Sequence, residues 1–84
     1  MDMLINNKDH TIALLTNDVN EFLGVKSWCR SHFGKSHGDL MQGSWIVKHR
    51  RRGTTDGVFS NFIYSIIIKP KNSEMKALVT LTFG

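Results

Sequence analysis

The hydrophobic pattern of this chain changes its period partway along, and that change constrains the fold more than any other feature. One row of large apolar residues occupies strictly alternate positions: Phe62, Tyr64, Ile66 and Ile68. Because successive side chains of a strand point to opposite faces, such a row is typical of a strand that buries one face. Residues 18–33 follow the spacing of a helix instead. A switch of this kind within 84 residues predicts a single small α+β domain over 1–84.

The helix is predicted at 18–33. Asp18 followed by Glu21 fits a capping box, in which an acid at the N-cap accepts backbone N–H groups of the first turn. Gly34 suits the position after the helix, because glycine adopts left-handed backbone angles without strain. An apolar stripe runs along one side of the segment: Val19, Phe22, Leu23, Cys29 and Phe33. The pattern indicates an amphipathic helix with one face toward the core.

Strands are predicted at 44–50, 58–69 and 75–83, with turns at 53–57 and 70–73. The last strand depends on a second alternating row: Ala77, Val79, Leu81 and Phe83. Residues 10–16 fit either a strand or the lead-in to the helix. The expected fold is therefore α+β, with one amphipathic helix packed on a three- or four-stranded antiparallel sheet in the order (β)-α-β-β-β.

The second face of the predicted sheet is only half polar. Its apolar members are Phe59, Ile63, Ile67 and Leu78, and its polar members are Asn61, Ser65, Thr80 and Thr82. An apolar surface of this kind predicts a homodimer or partner surface, although single exposed apolar residues are also ordinary in a small domain.

Positive charge is concentrated in the second half of the chain. Residues 1–43 carry four cations and five acids (net −1), and residues 44–84 carry seven cations and two acids (net +5), which together give the net charge of +4. The densest run, 48–52, directly continues the strand-like segment that begins at Ser44. Cations held so close together repel one another, and such runs usually face an anionic partner, most often nucleic acid.

We therefore expect a small, non-enzymatic nucleic-acid-binding protein that contacts phosphates through an arginine-rich β-hairpin. Guanidinium groups match phosphate oxygens and guanine edges, so the predicted contacts are made by four residues: Lys48, Arg50, Arg51 and Arg52. Lys35 and Arg30 form a second predicted contact set. Trp45 is predicted to stack on bases only if it faces outward. The sequence leaves open whether the partner is DNA or RNA and whether binding is sequence-specific.

Two other functions stay open. The first is a compact inhibitor or adaptor of phage or mobile-element type, which would dock its basic hairpin on an acidic surface of a host nucleic-acid-processing enzyme. The second is a small ribonuclease, with His37 and His49 as acid and base and with Lys48 and Arg50 holding the phosphate. A helix followed by three strands in a small basic chain also resembles the ribosome-dependent RNA-cleaving toxins of the RelE type, without their motif residues. That resemblance implies RNA cleavage without a metal.

The remaining features exclude several classes of protein. Cys29 is the only cysteine, which excludes an intramolecular disulfide and is compatible with a reducing cytosol. Together with His32, His37 and His49 it lacks the second thiolate that structural zinc sites usually have, so no metal or cofactor is expected. The apolar run 62–68 is too short to span a bilayer, and residues 1–8 lack the apolar core of a signal peptide. We expect a cytoplasmic protein without a membrane partner.

Overall fold

The computed structural model describes residues 1–36, 38–52 and 61–84, and at 49–52 and 61–62 it describes the backbone alone. Its elements are β1 (Asp2–Asn6), β2 (Thr11–Thr16), α1 (Val19–Phe33), β3 (Ser44–Arg52), β4 (Asn61–Lys69) and α2 (Ser73–Phe83). The strands form one antiparallel sheet in the order β1-β2-β4-β3. The predicted α+β class is confirmed, as is the packing of one long helix on an antiparallel sheet.

Helix α1 begins and ends where the sequence predicts. The Asp18 carboxylate accepts the backbone N–H groups of Asn20 at 2.8 Å and Glu21 at 3.4 Å. At the other end, Gly34 has a φ of 81° and donates its N–H to the Arg30 carbonyl at 3.0 Å. These contacts satisfy backbone groups that a helix end would otherwise leave unpaired.

The buried side of α1 differs in detail from the predicted stripe. Phe22, Val25 and Cys29 are buried. Val19 and Leu23, which the sequence places on the stripe, are about half exposed. The spacing of three and four residues between the buried positions is that of a single helical face.

One face of the sheet is covered by both helices, and we call it the covered face. Two rows of directly paired residues lie on it: Met3, Leu14, Ile66 and Val47 in one row, and Ile5, Ile12, Ile68 and Trp45 in the other. The Phe22 ring of α1 stacks on Tyr64 at 4.6 Å between ring centres. Val79 of α2 is fully buried in the same cluster, and the Phe83 ring contacts Trp28 of α1 at 4.9 Å. The core therefore lies between this face and the two helices.

The prediction of a strand at 75–83 is wrong, because this segment forms helix α2. The Asn72 side chain accepts the N–H of Met75 at 2.9 Å and caps the helix. Val79 is fully buried, whereas Leu81, two residues on, is 84% exposed. Positions two apart would share a face in a strand, and here they lie on different sides of a helix.

Two threonines show how β-branched residues are accommodated in α2. The Thr80 hydroxyl donates to the Lys76 carbonyl at 2.8 Å, and the Thr82 hydroxyl donates to the Leu78 carbonyl at 2.7 Å. These bonds to the carbonyl four residues back satisfy the hydroxyls within the helix. Leu78, Thr80 and Thr82 consequently do not belong to the second face of the sheet, to which the sequence pattern assigned them.

Residues 10–16, which fit either a strand or a helix lead-in, form strand β2 and pair with a fourth strand, β1, that the sequence did not predict. The side-chain oxygen of Asn6 (Oδ1) accepts the backbone N–H groups of Lys8 at 3.0 Å and of Asp9 at 3.4 Å. His10 follows with a φ of 56°. Asparagine side chains that bond the backbone two and three residues on are typical of turns, which explains the reversal between the two strands. The predicted turn at 53–57 and the start of the strand at 58–60 lie outside the described residues.

Candidate nucleic-acid interface

The basic run occupies the last part of edge strand β3, where the sheet narrows. Strand β2 pairs with β4 as far as Thr16 opposite Tyr64. Past that point, in the described part of the chain, β4 is paired with β3 alone, from Arg50 opposite Ile63 to Arg52 opposite Asn61. Residues 50–52 and 61–63 therefore form a two-stranded extension of the sheet, which we call the basic ribbon.

Lys48 adjoins the basic ribbon and is exposed. It lies on the face of the sheet opposite the helices, because its neighbour Val47 is paired within a covered-face row. Among the described side chains, no carboxylate lies within ion-pair distance of Lys48, and the ion pair seen there joins the Met1 amine to Glu21 at 3.4 Å. Within the described side chains, Lys48 is therefore an exposed cation without an ion pair.

The side chains of Arg50, Arg51 and Arg52 lie outside the described residues, so their contacts with phosphate stay a prediction. The backbone places all three in β3, as the sequence predicts. Strong positive charge on an edge strand also discourages pairing with the edge of another sheet. That edge is consequently better suited to an anion than to an added strand.

Arg30 and Lys35 are exposed but lie near the opposite end of β3. The Trp45 indole N–H donates to the Gly34 carbonyl at 2.9 Å, which fixes the end of α1 above the start of β3. A strand rises about 3.3 Å per residue, so the six residues from Trp45 to Arg51 span about 20 Å. The structure therefore does not bring the second predicted contact set together with the basic ribbon.

Trp45, the residue predicted to stack on bases, belongs to the core, as does Tyr64. Trp45 is 1% exposed, so the condition for stacking, an outward-facing ring, is not met. Tyr64 is half-buried and stacks on Phe22 under α1. Every described aromatic side chain is buried or half-buried, and this part of the chain offers no exposed ring for bases.

Cys29 is fully buried, and burial raises the pKa of its thiol to about 12. A neutral, enclosed thiol is a poor nucleophile and a poor metal ligand. His32 lies on the surface, stacks on Trp28 at 4.0 Å and has its Nδ1 2.9 Å from the Trp28 carbonyl. The described residues contain no group of three or more potential metal ligands. His37 and the side chain of His49 lie outside them, so the predicted acid and base of a ribonuclease stay untested.

Sequence reasoning missed two features of the surface. Asp2 lies at the edge of the sheet opposite Lys48, in the same row of paired residues, and it becomes visible only once β1 is placed. A shallow pocket of about 330 Å³ also lies beside the start of α2 and includes His10, Lys71 and Lys76. This pocket is near the β1–β2 turn, at the end of the sheet away from the basic ribbon.

Comparison with known proteins does not identify a relative. The chain matches no protein-family model, no curated protein and no solved structure. Within the described ranges, no helix is both long enough and apolar enough to cross a membrane. A function therefore has to be inferred from the residues of this chain.

Proposed function

We propose that this protein binds nucleic acid through the basic ribbon and acts by binding, without catalysing a reaction. The observation that supports the proposal is the strand register, which carries residues 50–52 past the last paired residue of β2. A two-stranded ribbon is narrow enough to enter a DNA major groove, which is about 12 Å wide. The arginines would then contact phosphates along the groove walls.

The order of cations along β3 suits a groove better than a flat surface. Lys48, Arg50 and Arg52 occupy alternate positions of β3, and Arg51 lies between two of them. Because alternate positions of a strand belong to opposite faces, this order divides positive charge between the two sides of the ribbon. A groove has a phosphate backbone on each side, so both sets of cations can meet phosphates at once.

Binding of single strands commonly depends on stacking between bases and exposed rings. In the described part of the chain, Trp45 and Tyr64 are committed to the core instead. The side chains of Phe59 and Phe62 lie outside the described residues. We therefore base the proposal on electrostatic contacts of Lys48 and the arginines with phosphates.

Fluorescence anisotropy with labelled DNA and RNA, each as duplex and as single strand, tests this function. The triple variant Arg50→Ala, Arg51→Ala, Arg52→Ala should bind duplexes more weakly at every sequence. The slope of log affinity against log salt should flatten by up to about 0.9 for each phosphate contact that is lost. A matched control removes three exposed lysines away from the ribbon: Lys8→Ala, Lys26→Ala and Lys71→Ala.

The control loses the same net charge as the ribbon variant, so it separates a local contact from general electrostatic attraction. We expect it to retain most of the affinity and most of the salt slope. Equal losses in the two triple variants, or a complex that is insensitive to salt, would contradict the proposal.

Recovery of the tagged protein from lysate, with and without nuclease treatment, distinguishes the proposal from an inhibitor or adaptor. A nucleic-acid-binding protein should lose its co-purifying material when the nucleic acid is digested. A stoichiometric protein partner that survives nuclease treatment would instead support docking on a protein.

A further inference from the structure

The pocket beside the start of α2 collects basic side chains from separate parts of the chain. It has a volume of about 330 Å³ and lies where the β1–β2 turn, the loop before β3 and the turn between β4 and α2 meet. Its polar lining residues are His10, Gln42, Lys71, Asn72, Ser73 and Lys76. Each of these residues is neutral or basic, so the pocket has a net positive charge.

Two lysines bring this charge to the pocket. Lys71 lies in the turn after β4, and its stem passes over Gly43: a methyl group placed on Gly43 would lie 3.6 Å from Cβ of Lys71 and 4.0 Å from its Cδ. Lys76 belongs to α2 and is half-buried. Within the described side chains, no carboxylate lies within ion-pair distance of either lysine. Two like charges therefore share one pocket without a described counter-charge.

The acids that are closest in sequence do not line the pocket. Asp9 precedes His10, but the Asp9 carboxylate accepts a hydrogen bond from the Asn6 side-chain amide at 3.1 Å. Glu74 is exposed on the first turn of α2 and is not part of the lining. The positive character of the pocket is thus not offset by an acid in its wall.

The neutral side chains of the pocket add hydrogen-bond donors. The side-chain oxygen of Asn72 accepts the N–H of Met75 at 2.9 Å, and the NH₂ group of Asn72 is not used by this cap. The imidazole of His10 has at least one N–H in either charge state, and the hydroxyl of Ser73 can also donate. Donors around two ammonium groups favour an anion and disfavour a metal cation.

We propose that this pocket binds the phosphate group of a small molecule, either inorganic phosphate or a phosphomonoester. A phosphate monoester carries about two negative charges at neutral pH and has three strong acceptor oxygens, so it can engage both lysines and the neutral donors at once. Lysine binds phosphate as a point charge, which does not require the fixed fork of arginine. A carboxylate has one negative charge and would leave one lysine without a partner.

The volume of the pocket limits the ligand to a small one. Sites for small molecules have volumes of about 300–1,000 Å³, and this pocket lies at the low end of that range. A phosphate group with a short organic part fits this volume. The pocket is open to solvent and its cations are partly in water, so we expect weak, reversible binding.

The phosphate site is separate from the basic ribbon and does not rest on the proposed function. The ribbon contains the start of β4, whereas Lys71 follows the end of that strand. Eight residue steps along β4, from Asn61 to Lys69, span about 26 Å. Replacement of Arg50–Arg52 by alanine should therefore leave phosphate binding unchanged.

A titration of isotope-labelled, nuclease-treated protein with inorganic phosphate, followed by amide chemical shifts, tests the pocket. The ionic strength is held constant, because salt screens the general attraction of anions to exposed lysines. We expect saturable changes at residues 10, 42 and 71–76. Parallel titrations use glycerol phosphate as a phosphomonoester and acetate as a singly charged anion. Binding of glycerol phosphate alone would assign the site to phosphomonoesters, and binding of both phosphates would assign it to the phosphate group itself.

Glutamine variants of the two lysines test the contacts, because glutamine keeps a polar side chain and removes the charge. Lys71→Gln and Lys76→Gln should each weaken phosphate binding by about fivefold or more, and the double variant should weaken it further. Lys26→Gln is the matched control, since Lys26 is an exposed lysine of α1 outside the pocket, and it should bind phosphate like the wild type. The remaining amide shifts show whether each variant is folded.

Four results would overturn the proposal. The first is the absence of saturable changes with either phosphate compound. The second is an equal response to acetate, and the third is phosphate binding that persists in the double variant. The fourth is a DNA duplex that shifts the pocket amides as strongly as those of the basic ribbon, which would make the pocket part of the nucleic-acid interface.

Discussion

The covered face of the sheet and the opposite face, on which neither helix packs, are built from alternate residues of the same strands, yet they differ in burial. Ile66 is 1% exposed beneath the helices, and its neighbour Ile67 is only half-buried on the other side. The covered face also holds Trp45 and the buried side of both helices. Apolar area removed from water is the dominant favourable term in folding, so we assign stability to the covered face. Because the strand period is two, a register shift of one residue would turn the other set of side chains toward the helices.

The largest effect is expected at Trp45, the largest fully buried side chain of the covered face. Trp45→Ala should lower the free energy of unfolding by about 3–5 kcal/mol, because it opens a cavity and removes the indole bond to the Gly34 carbonyl. Urea denaturation measures this loss. Trp45→Phe keeps an aromatic ring and should lose less. A Trp45→Ala protein with the unfolding midpoint of the wild type would contradict the assignment of stability to this face.

Ile66 and Ile67 are neighbours on opposite faces of the sheet, so their alanine variants compare the contributions of the two faces to the free energy of unfolding. Ile66→Ala should cost about 2–5 kcal/mol of unfolding free energy, since its cavity lies in the core. Ile67→Ala should cost only about 1 kcal/mol, because its side chain is partly in water already. Equal losses from the two substitutions would contradict the assignment of stability to the covered face.

Alkaline pH should weaken the covered face through Cys29. Burial holds the pKa of this thiol at about 12, whereas a thiol in an unfolded chain titrates near 8.5. Between about pH 9 and pH 12 the unfolded chain releases a proton that the folded chain retains. The free energy of unfolding should therefore fall by up to about 1.4 kcal/mol per pH unit in that range.

The Cys29→Ala variant isolates this contribution, because lysine and tyrosine residues titrate over part of the same range in both proteins. The difference in unfolding free energy between wild type and variant should be constant below about pH 8 and should shrink or change sign above pH 9. A difference that does not vary with pH would show that the thiol is not excluded from water.

Smaller effects are expected at the ends of the helices that cover the sheet. Asp18→Ala removes the cap of α1, and Asn72→Ala removes the cap of α2. Each should cost about 1 kcal/mol of unfolding free energy. Asn20→Ala is a matched control within the first turn of α1, and it should change stability by less than about 0.5 kcal/mol. Thermal unfolding of the three variants would separate capping from the general effect of a polar-to-alanine change.

Local signals explain which parts of the fold were predictable. Helix α1 carries its own cap at Asp18 and its own terminator at Gly34, so its bounds follow from neighbouring residues. Strand β4 follows from alternation alone. In α2, however, alternate residues are apolar as in a strand, while Met75, Val79 and Phe83 are also spaced by four. Packing of Val79 in the core favours the helix over the strand, and this packing depends on residues that are distant in the sequence.

For the candidate interface, the sequence predicted that the basic run lies on a strand. It did not predict which side of that strand faces the helices. The basic run continues β3, as expected, because it directly follows the apolar start of that strand. The position of β3 at the edge of the sheet follows from the strand order, which the sequence did not predict. Trp45, Ile46 and Val47 are all apolar, so the pattern within β3 does not say which parity faces the helices. The pairing of Trp45 with Ile68 settles this, and it depends on residues more than 20 positions away. The position of Asp2 in the same row as Lys48 was not predictable for the same reason, because the row is formed by residues of four strands.

A titration of isotope-labelled protein with a short duplex at low salt, followed by amide chemical shifts, tests the proposed interface most directly. We expect the largest changes at residues 50–52 and 61–63, with smaller ones at Lys48. Amides of the covered face and of α2 should change little. Changes concentrated on α1 and α2, or no change at the basic ribbon, would contradict the claim that this ribbon is the nucleic-acid interface.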